Sequence, residues 1–191
     1  MIDKKFLETL RADYLANEKE RRQIINASNN LLFEAKKIIF LLQRQDFKEA
    51  EKKFAELESL FKNLAKKFGL ERLKKEGTYK AAAEEYLEAK TLFLVIKKKK
   101  IGPIKDLVFD YEAYLGGICD LIGELVRYAT NQAAKGKFAE VYKIKKTAEE
   151  IMAQLIDFDL TGYLRTKYDQ ARGHLRKLEQ MAYEIRLRTD K

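Results

Sequence analysis

The sequence predicts an all-α protein, a single bundle of six or seven mostly antiparallel helices, and two observations carry that prediction. Breakers are scarce, with one proline, nine glycines and no tryptophan in 191 residues. Apolar residues also recur every three or four positions rather than alternating, which is the period of a helix face and not of a strand. At 46% hydrophobic and 36% charged, the chain has the balance of a folded domain and not of a disordered one. Residues 1–191 are expected to form one domain, long enough to bury a core.

The elements follow in order. Residues 3–44 carry Phe6, Leu10, Tyr14, Ile24, Leu31, Leu32, Ile38, Ile39 and Leu42 at helical spacing. They predict one long helix, softened near Asn29–Asn30. Asp46 is a suitable N-cap for a second helix over 47–68, closed by Gly69. Gly77-Thr78 restarts the chain, and a third helix over 79–98 ends in Lys97–Lys100. Gly102-Pro103 is the clearest break. Further helices are predicted over 111–135, 137–156 and 162–188. Asp46–Ala50 is similar to a helix of a tetratricopeptide repeat, and 53–57 is echoed at 137–141. No 34-residue period follows, so the pattern does not predict a solenoid.

Charge narrows the function classes. Residues 1–100 hold 24 basic and 16 acidic side chains, whereas the remainder holds 15 and 14. A basic half suits a polyanionic partner, nucleic acid or an anionic membrane, and equally suits a surface laced with ion pairs. No apolar run approaches the ~20 residues of a membrane span. The charged start lacks a signal-peptide core, and the lone Cys119 has no disulfide partner within the chain; a reducing, cytoplasmic location is expected. There is no glycine-rich phosphate loop and no Cys/His metal cluster. The only histidine, His174, sits among Arg172, Arg176 and Lys177 and is expected at the surface or against nucleic acid, with Cys119 in the core.

The segment 113–134 stands apart. Its 22 residues carry only Asp120, Glu124 and Arg127 as charges, where the chain average would give about eight. Such a helix is expected to be buried on most sides. Its charges share one stripe with Gly117 and Asn131, so Asp120 and Glu124 are neighbours one turn apart. Two acids on a buried face persist if they share a proton, meet basic partners or hold a metal. Arg127 offers Glu124 a salt bridge and leaves Asp120 without an evident partner. The third helix supplies Glu85 and Glu88 beside Ala81–Ala83, small residues that would let another helix approach closely. If the two helices pack side by side, four carboxylates converge, and an all-oxygen set suits Mg²⁺ or Mn²⁺ better than zinc.

These residues carry a resemblance. Tyr114–Arg127 (YLGGICDLIGELVR) resembles a signature of the translin family, on the side of its translin-associated factor X members. Glu84–Ala89 (EEYLEA) is similar to the acidic segment of the same members, and Glu34–Arg44 (EAKKIIFLLQR) to their first helix. Tyr163–Asp169 (YLRTKYD) and Lys177–Tyr183 (KLEQMAY) resemble the family's last helix. The likeness runs in order from about residue 15 to 188. It implies about seven helices and a closed, hollow oligomer, commonly an octamer, that encloses single-stranded RNA or DNA. On the factor X side it also implies a metal-dependent endoribonuclease, whose acidic ligands fall on Glu85, Glu88, Asp120 and Glu124. The chain is shorter than the eukaryotic members, with little loop between the third and fourth major helices. That departure suggests a prokaryotic, archaeal-type member.

Three functions are therefore carried forward. One is an endoribonuclease on single-stranded RNA, with Glu85, Glu88, Asp120 and Glu124 holding Mg²⁺ or Mn²⁺ and Arg22, Lys37, Lys90 and Lys97 as candidate nucleic-acid contacts. Another is a non-catalytic shell that binds single strands. The last is a helical adaptor whose aromatic faces dock a protein. Phe33, Phe40, Tyr111, Tyr114 and Tyr128 recur on several faces, as oligomerisation would require. On the metal reading, Asp120→Asn should abolish cleavage and, by relieving repulsion, raise the melting temperature of the metal-free protein.

Overall fold

A computed structural model of the chain describes residues 2–189. Among them are seven α-helices and no strand: α1 Lys4–Gln43, α2 Phe47–Phe68, α3 Leu70–Leu73, α4 Gly77–Ile96, α5 Tyr111–Ala134, α6 Phe138–Leu155 and α7 Gly162–Thr189, with one 3-10 turn at Ile156–Phe158. The expected helices are all present to within two residues at each end. The single-turn α3 is an addition, formed where the chain passes from Gly69 to the restart at Gly77. The softening expected near Asn29–Asn30 is absent, and α1 runs unbroken for 40 residues. Ser28, Leu31 and Ala35 are buried around that point, so packing holds the turn that the asparagines would loosen.

Local chemistry sets the boundaries. Asp46 accepts a hydrogen bond from Glu49 N, and Asp110 accepts one from Ala113 N at 2.9 Å, capping α2 and α5. Gly69 ends α2 at φ 78°, and Gly136 follows α5 at φ 70°, both in the left-handed region that favours glycine. Three-residue turns at 44–46 and 135–137 fold α2 against α1 and α6 against α5.

The middle of the bundle is a row in which α1 packs on α4, α4 on α5, and α5 on α7. α2 covers the outside of α1, and α6 bridges α5 and α7. The core between them includes the fully buried Ile24, Leu31, Ile38 and Leu42 of α1, Tyr86, Leu87 and Leu92 of α4, and Leu121, Ile122 and Leu125 of α5. Each buried side chain of that size stabilises the fold by about 1.5–3 kcal/mol before ordering costs. The link 97–110 packs down instead of looping out. Phe109 meets Phe61 edge-on at 5.3 Å and lies 5.5 Å from Tyr86, while Ile104 N donates to the Tyr114 hydroxyl at 3.0 Å. Tyr114 and Tyr128 are thus half-buried parts of the packing, whereas Phe33, Phe40 and Tyr111 are exposed as expected. No helix among the described residues is long and apolar enough to cross a membrane.

Candidate functional site

The row α4–α5–α7 brings the acidic residues together, and glycine makes it possible. A Cβ on Gly117 of α5 would lie 2.9 Å from the Glu84 carbonyl oxygen, 3.0 Å from Glu88 N and 3.0 Å from Leu87 Cβ. A Cβ on Gly116 would strike the Glu84 carboxylate at 2.0 Å. The backbones of α4 and α5 meet where α5 has no side chain. The alanines ahead of Glu84 complete the contact, with Ala82 and Ala83 buried. Side-by-side packing of the two helices, the condition set by the sequence, is met.

Glu85 and Glu88 from α4 then face Asp120 and Glu124 from α5. Burial pushes the Glu88 carboxyl up to about 9, with Glu85, Asp120 and Glu124 adding to the rise. Burial also raises Glu85; Lys36 opposes the rise, and Asp120 and Glu124 reinforce it. Neither the Glu85 nor the Glu88 carboxylate receives a hydrogen bond among the described residues, although the Thr91 hydroxyl donates to the Glu88 backbone carbonyl at 3.0 Å. Glu124 is held from the opposite side: Gln43 of α1 donates its Nε2 to the carboxylate at 2.7 Å and to the Glu124 carbonyl at 3.0 Å. Asn131 donates to Gln43 Oε1 at 3.2 Å, and Arg127 pairs with Glu124 at 3.5 Å as the sequence suggested.

Asp120 does have a partner, contrary to the sequence reading. Lys167 of α7 donates its Nζ to Asp120 and, at 2.7 Å, to Glu84, so that one ammonium bridges the two acidic helices. Burial alone would depress this lysine. The hydrogen bonds to Asp120 and Glu84 outweigh that and hold its pKa above the ordinary value. One turn earlier, the Tyr163 hydroxyl donates to Glu84 at 2.8 Å, and the Lys167 ammonium lies 5.5 Å from the centre of the Tyr163 ring. His174 also comes from α7, half-buried against α5, where a Cβ on Gly123 would stand 3.3 Å from its Nε2. Burial lowers the imidazole pKa, aided by Lys177 and opposed by Asp120 and Glu124. It is therefore packed against α5 and not a fully exposed surface histidine. Cys119 packs in the core, its thiol pushed up to about 12 by burial.

A groove of about 520 Å³ opens beside the acids, with Glu84, Glu85, Asp120, Tyr163 and Lys167 on its wall and Lys36 and Lys80 at its rim. Among the described residues no three carboxylate, imidazole or thiolate groups stand ready in a ligating arrangement. What fits a hard cation is the donor set: four carboxylates on facing helices, of which Asp120 and Glu124 add to the raised proton affinity of Glu85 and Glu88, and the last two carboxylates have no side-chain donor among the described residues. The basic candidates are more scattered. Lys90 pairs with Glu58 at 2.7 Å on the α2 side of α4, and Lys97 pairs with Glu51 at 3.5 Å and lies over Phe47. Lys37 pairs with Glu34 at 2.6 Å on α1. Arg22 is exposed on α1, with no acidic partner within 4 Å among the described residues. Sequence reasoning missed Gln43, Lys167 and the placement of His174. For the two α7 residues the only signal was their place in or beside the segments that resemble the family's last helix.

Comparison with known proteins bears on the whole chain. A family model described as "Translin family" matches residues 19–189. An uncharacterized protein of Methanocaldococcus jannaschii, MJ0175, is 29% identical over 171 residues, covering 86% of this chain and 76% of its own length. The translin-associated protein X homolog of Schizosaccharomyces pombe is 29% identical over 142 residues, which are 64% of this chain; the chain spans 60% of that protein, under two thirds of its length. Among solved structures, apo-NeC3PO superposes with a TM-score of 0.82 at 28% identity, covering 96% of this chain and 97% of its own. AfC3PO in complex with duplex RNA superposes at 0.82 with 22% identity, covering 95% and 96% of the two chains, a likeness of fold.

Proposed function

The chain belongs to the translin family, and from that membership and the acidic groove between α4, α5 and α7 we propose that it is an RNA-binding, divalent-metal-dependent endoribonuclease working inside a closed homo-oligomeric shell. The observation that carries the reading is the grouping of Glu85, Glu88, Asp120 and Glu124 on facing helices, where burial, reinforced by the other three acids, pushes Glu88 up to about 9. A buried carboxyl left so far from its ordinary proton affinity costs stability, and perturbed carboxyls of this kind cluster at functional sites.

These four residues would hold Mg²⁺ or Mn²⁺. When bound, such a cation supplies positive charge to a phosphodiester whose oxygens gain negative charge during hydrolysis. The chain's own residues do the rest. Lys36 and Lys80 at the groove rim attract the phosphate backbone, a contact that is electrostatic and indifferent to sequence. Tyr163, 58% exposed at the groove, offers a ring face on which a base can stack. Gln43 and Arg127 orient Glu124, and Gly117 keeps α4 and α5 at the spacing the carboxylates need.

The closed assembly rests on exposed apolar surface. Phe6, Leu10, Tyr14, Phe33 and Phe40 along α1 and Tyr183 and Leu187 on α7 are between 47% and 64% exposed. A lone subunit would leave them in water. Eight copies is the number that the family resemblance suggests.

A binding-only shell is the second reading, and the Lys167 bridge favours it: an ammonium shared by Asp120 and Glu84 already offsets part of their charge without any metal. Labelled single-stranded and duplex RNA, each incubated with Mg²⁺, Mn²⁺ or chelator, separates the two. Cleavage that needs the cation and disappears in Asp120→Asn, with RNA retention on filters unchanged, supports the enzyme. RNA that is bound and never cut selects the shell.

A further inference from the structure

Lys167 is the one cation whose ammonium reaches carboxylates of both acidic helices among the described residues, and it rises from neither of them. It is mostly buried, and its bond to Asp120 is the only hydrogen bond or ion pair that this carboxylate makes among the described residues. The Glu124 carboxylate has Gln43 and Arg127, whereas the Glu85 and Glu88 carboxylates have no donor among the described residues. Lys167 therefore places a positive charge among the acids, seated on the aspartate that connects α5 to α7.

We propose that Lys167 is the positioning residue that sets the affinity of the acidic groove for divalent cations: its ammonium occupies Asp120 when no cation is bound, and a cation and the ammonium compete for that carboxylate. The proposal rests on the reading of Glu85, Glu88, Asp120 and Glu124 as a cation site. The competition is electrostatic. A doubly charged ion held by Asp120 would lie about 5 Å from an ammonium still bonded to the same group. At an effective dielectric near 20 that repulsion is on the order of ten times thermal energy. The ammonium can withdraw without becoming stranded. Glu84 accepts from it at 2.7 Å, and the Tyr163 ring, anchored to Glu84 by its own hydroxyl, lies beside it. Lys167 thereby holds the acids together in the empty site and yields one of them on loading.

The test titrates Mn²⁺ calorimetrically into the metal-free full-length protein, without RNA, for wild type, Lys167→Met, Lys167→Arg and Asp120→Asn. Removing the ammonium should tighten Mn²⁺ binding by about tenfold or more, the worth of a charge-assisted hydrogen bond. Lys167→Arg should stay near wild type, and Asp120→Asn should lose most of the binding. Wild-type protein also allows a direct readout, since Lys167 should be modified faster by an amine-reactive reagent when Mg²⁺ is present. Equal or weaker Mn²⁺ binding in Lys167→Met, or labelling of Lys167 that ignores Mg²⁺, overturns the competition and leaves the endoribonuclease reading standing. Absence of Mn²⁺ uptake in both wild type and Lys167→Met overturns the cation site and this proposal together.

Discussion

Replacing Glu88 by glutamine should stabilise the metal-free protein, and the gain should grow with pH. The Glu88 carboxyl stands at about 9 in the folded chain against an ordinary glutamate value of 4.5. Below pH 4.5 both the folded and unfolded forms carry the proton and the site costs nothing. Between 4.5 and 9 the unfolded chain releases a proton that the folded chain keeps, so stability falls as pH rises through that window. Each unit is worth about 1.36 kcal/mol, and from pH 4.5 to 7 the loss accumulates to about 3 kcal/mol. Glutamine escapes this while keeping the shape and a donor for Glu85, Asp120 or Glu124. With some of the gain screened by solvent, about 2–3 kcal/mol remains at pH 7, a rise in melting temperature of roughly 5–10 °C for a chain of this size. Circular-dichroism melts of both proteins in chelator at pH 5, 6, 7 and 8, at one protein concentration, would measure it. The two curves should nearly coincide at pH 5 and separate steadily above it. A difference that stays constant with pH, or a Glu88→Gln protein less stable than wild type at pH 8, would refute the crowding on which the site is built.

Other outcomes follow from the same geometry. Gly117→Ala should destabilise by about 1–3 kcal/mol, because its methyl meets backbone and Cβ atoms that have nowhere to go, and Mn²⁺ uptake should fall as α4 and α5 part; unchanged melting and uptake would mean that the helices slide freely. Asp120→Asn, which strips Lys167 of a partner, should not share the thermal gain of Glu88→Gln, and a matching gain in melts would contradict the Lys167 bridge. RNA affinity should fall with salt at a slope of roughly −0.7 per phosphate neutralised, whereas a flat response in filter binding would remove the electrostatic contact. Light scattering should report a mass several times the 22.3 kDa subunit, and a stable monomer at micromolar concentration would sink the enclosed-substrate arrangement.

The helices were legible because period and caps act locally. Asp46 and Gly69 mark the ends of α2 in sequence as they do in space, and the long breaker-free stretches leave few ways to divide the chain. The α4–α5 contact was legible only as a condition, set by Ala81–Ala83 and by Glu85, Glu88, Asp120 and Glu124 at matching spacings; the part that Gly116 and Gly117 play in the close approach came from the structure. The third wall was not legible. Lys167 lies 47 residues from Asp120 and 83 from Glu84, and a lysine on an amphipathic helix reads the same whether it meets water or a carboxylate. For the same reason the expected relief of repulsion, assigned to Asp120, belongs to Glu88. The sequence offered no way to see that a distant ammonium had already paired with one of these acids. Lys90 and Lys97 show the converse, basic residues whose nearest acids, Glu58 and Glu51, come from another helix.

The first turns of α1 have a consequence of their own. From Ile2 to Asn17 every residue is exposed, and the first fully buried one is Ile24. The family match begins only at residue 19. A helix of that length with nothing of its own chain to lean on is marginal in water. Its backbone amides should therefore exchange with deuterium at a rate set by whatever rests on Phe6, Leu10 and Tyr14, and the protection of this one segment becomes a gauge that dilution alone can turn down.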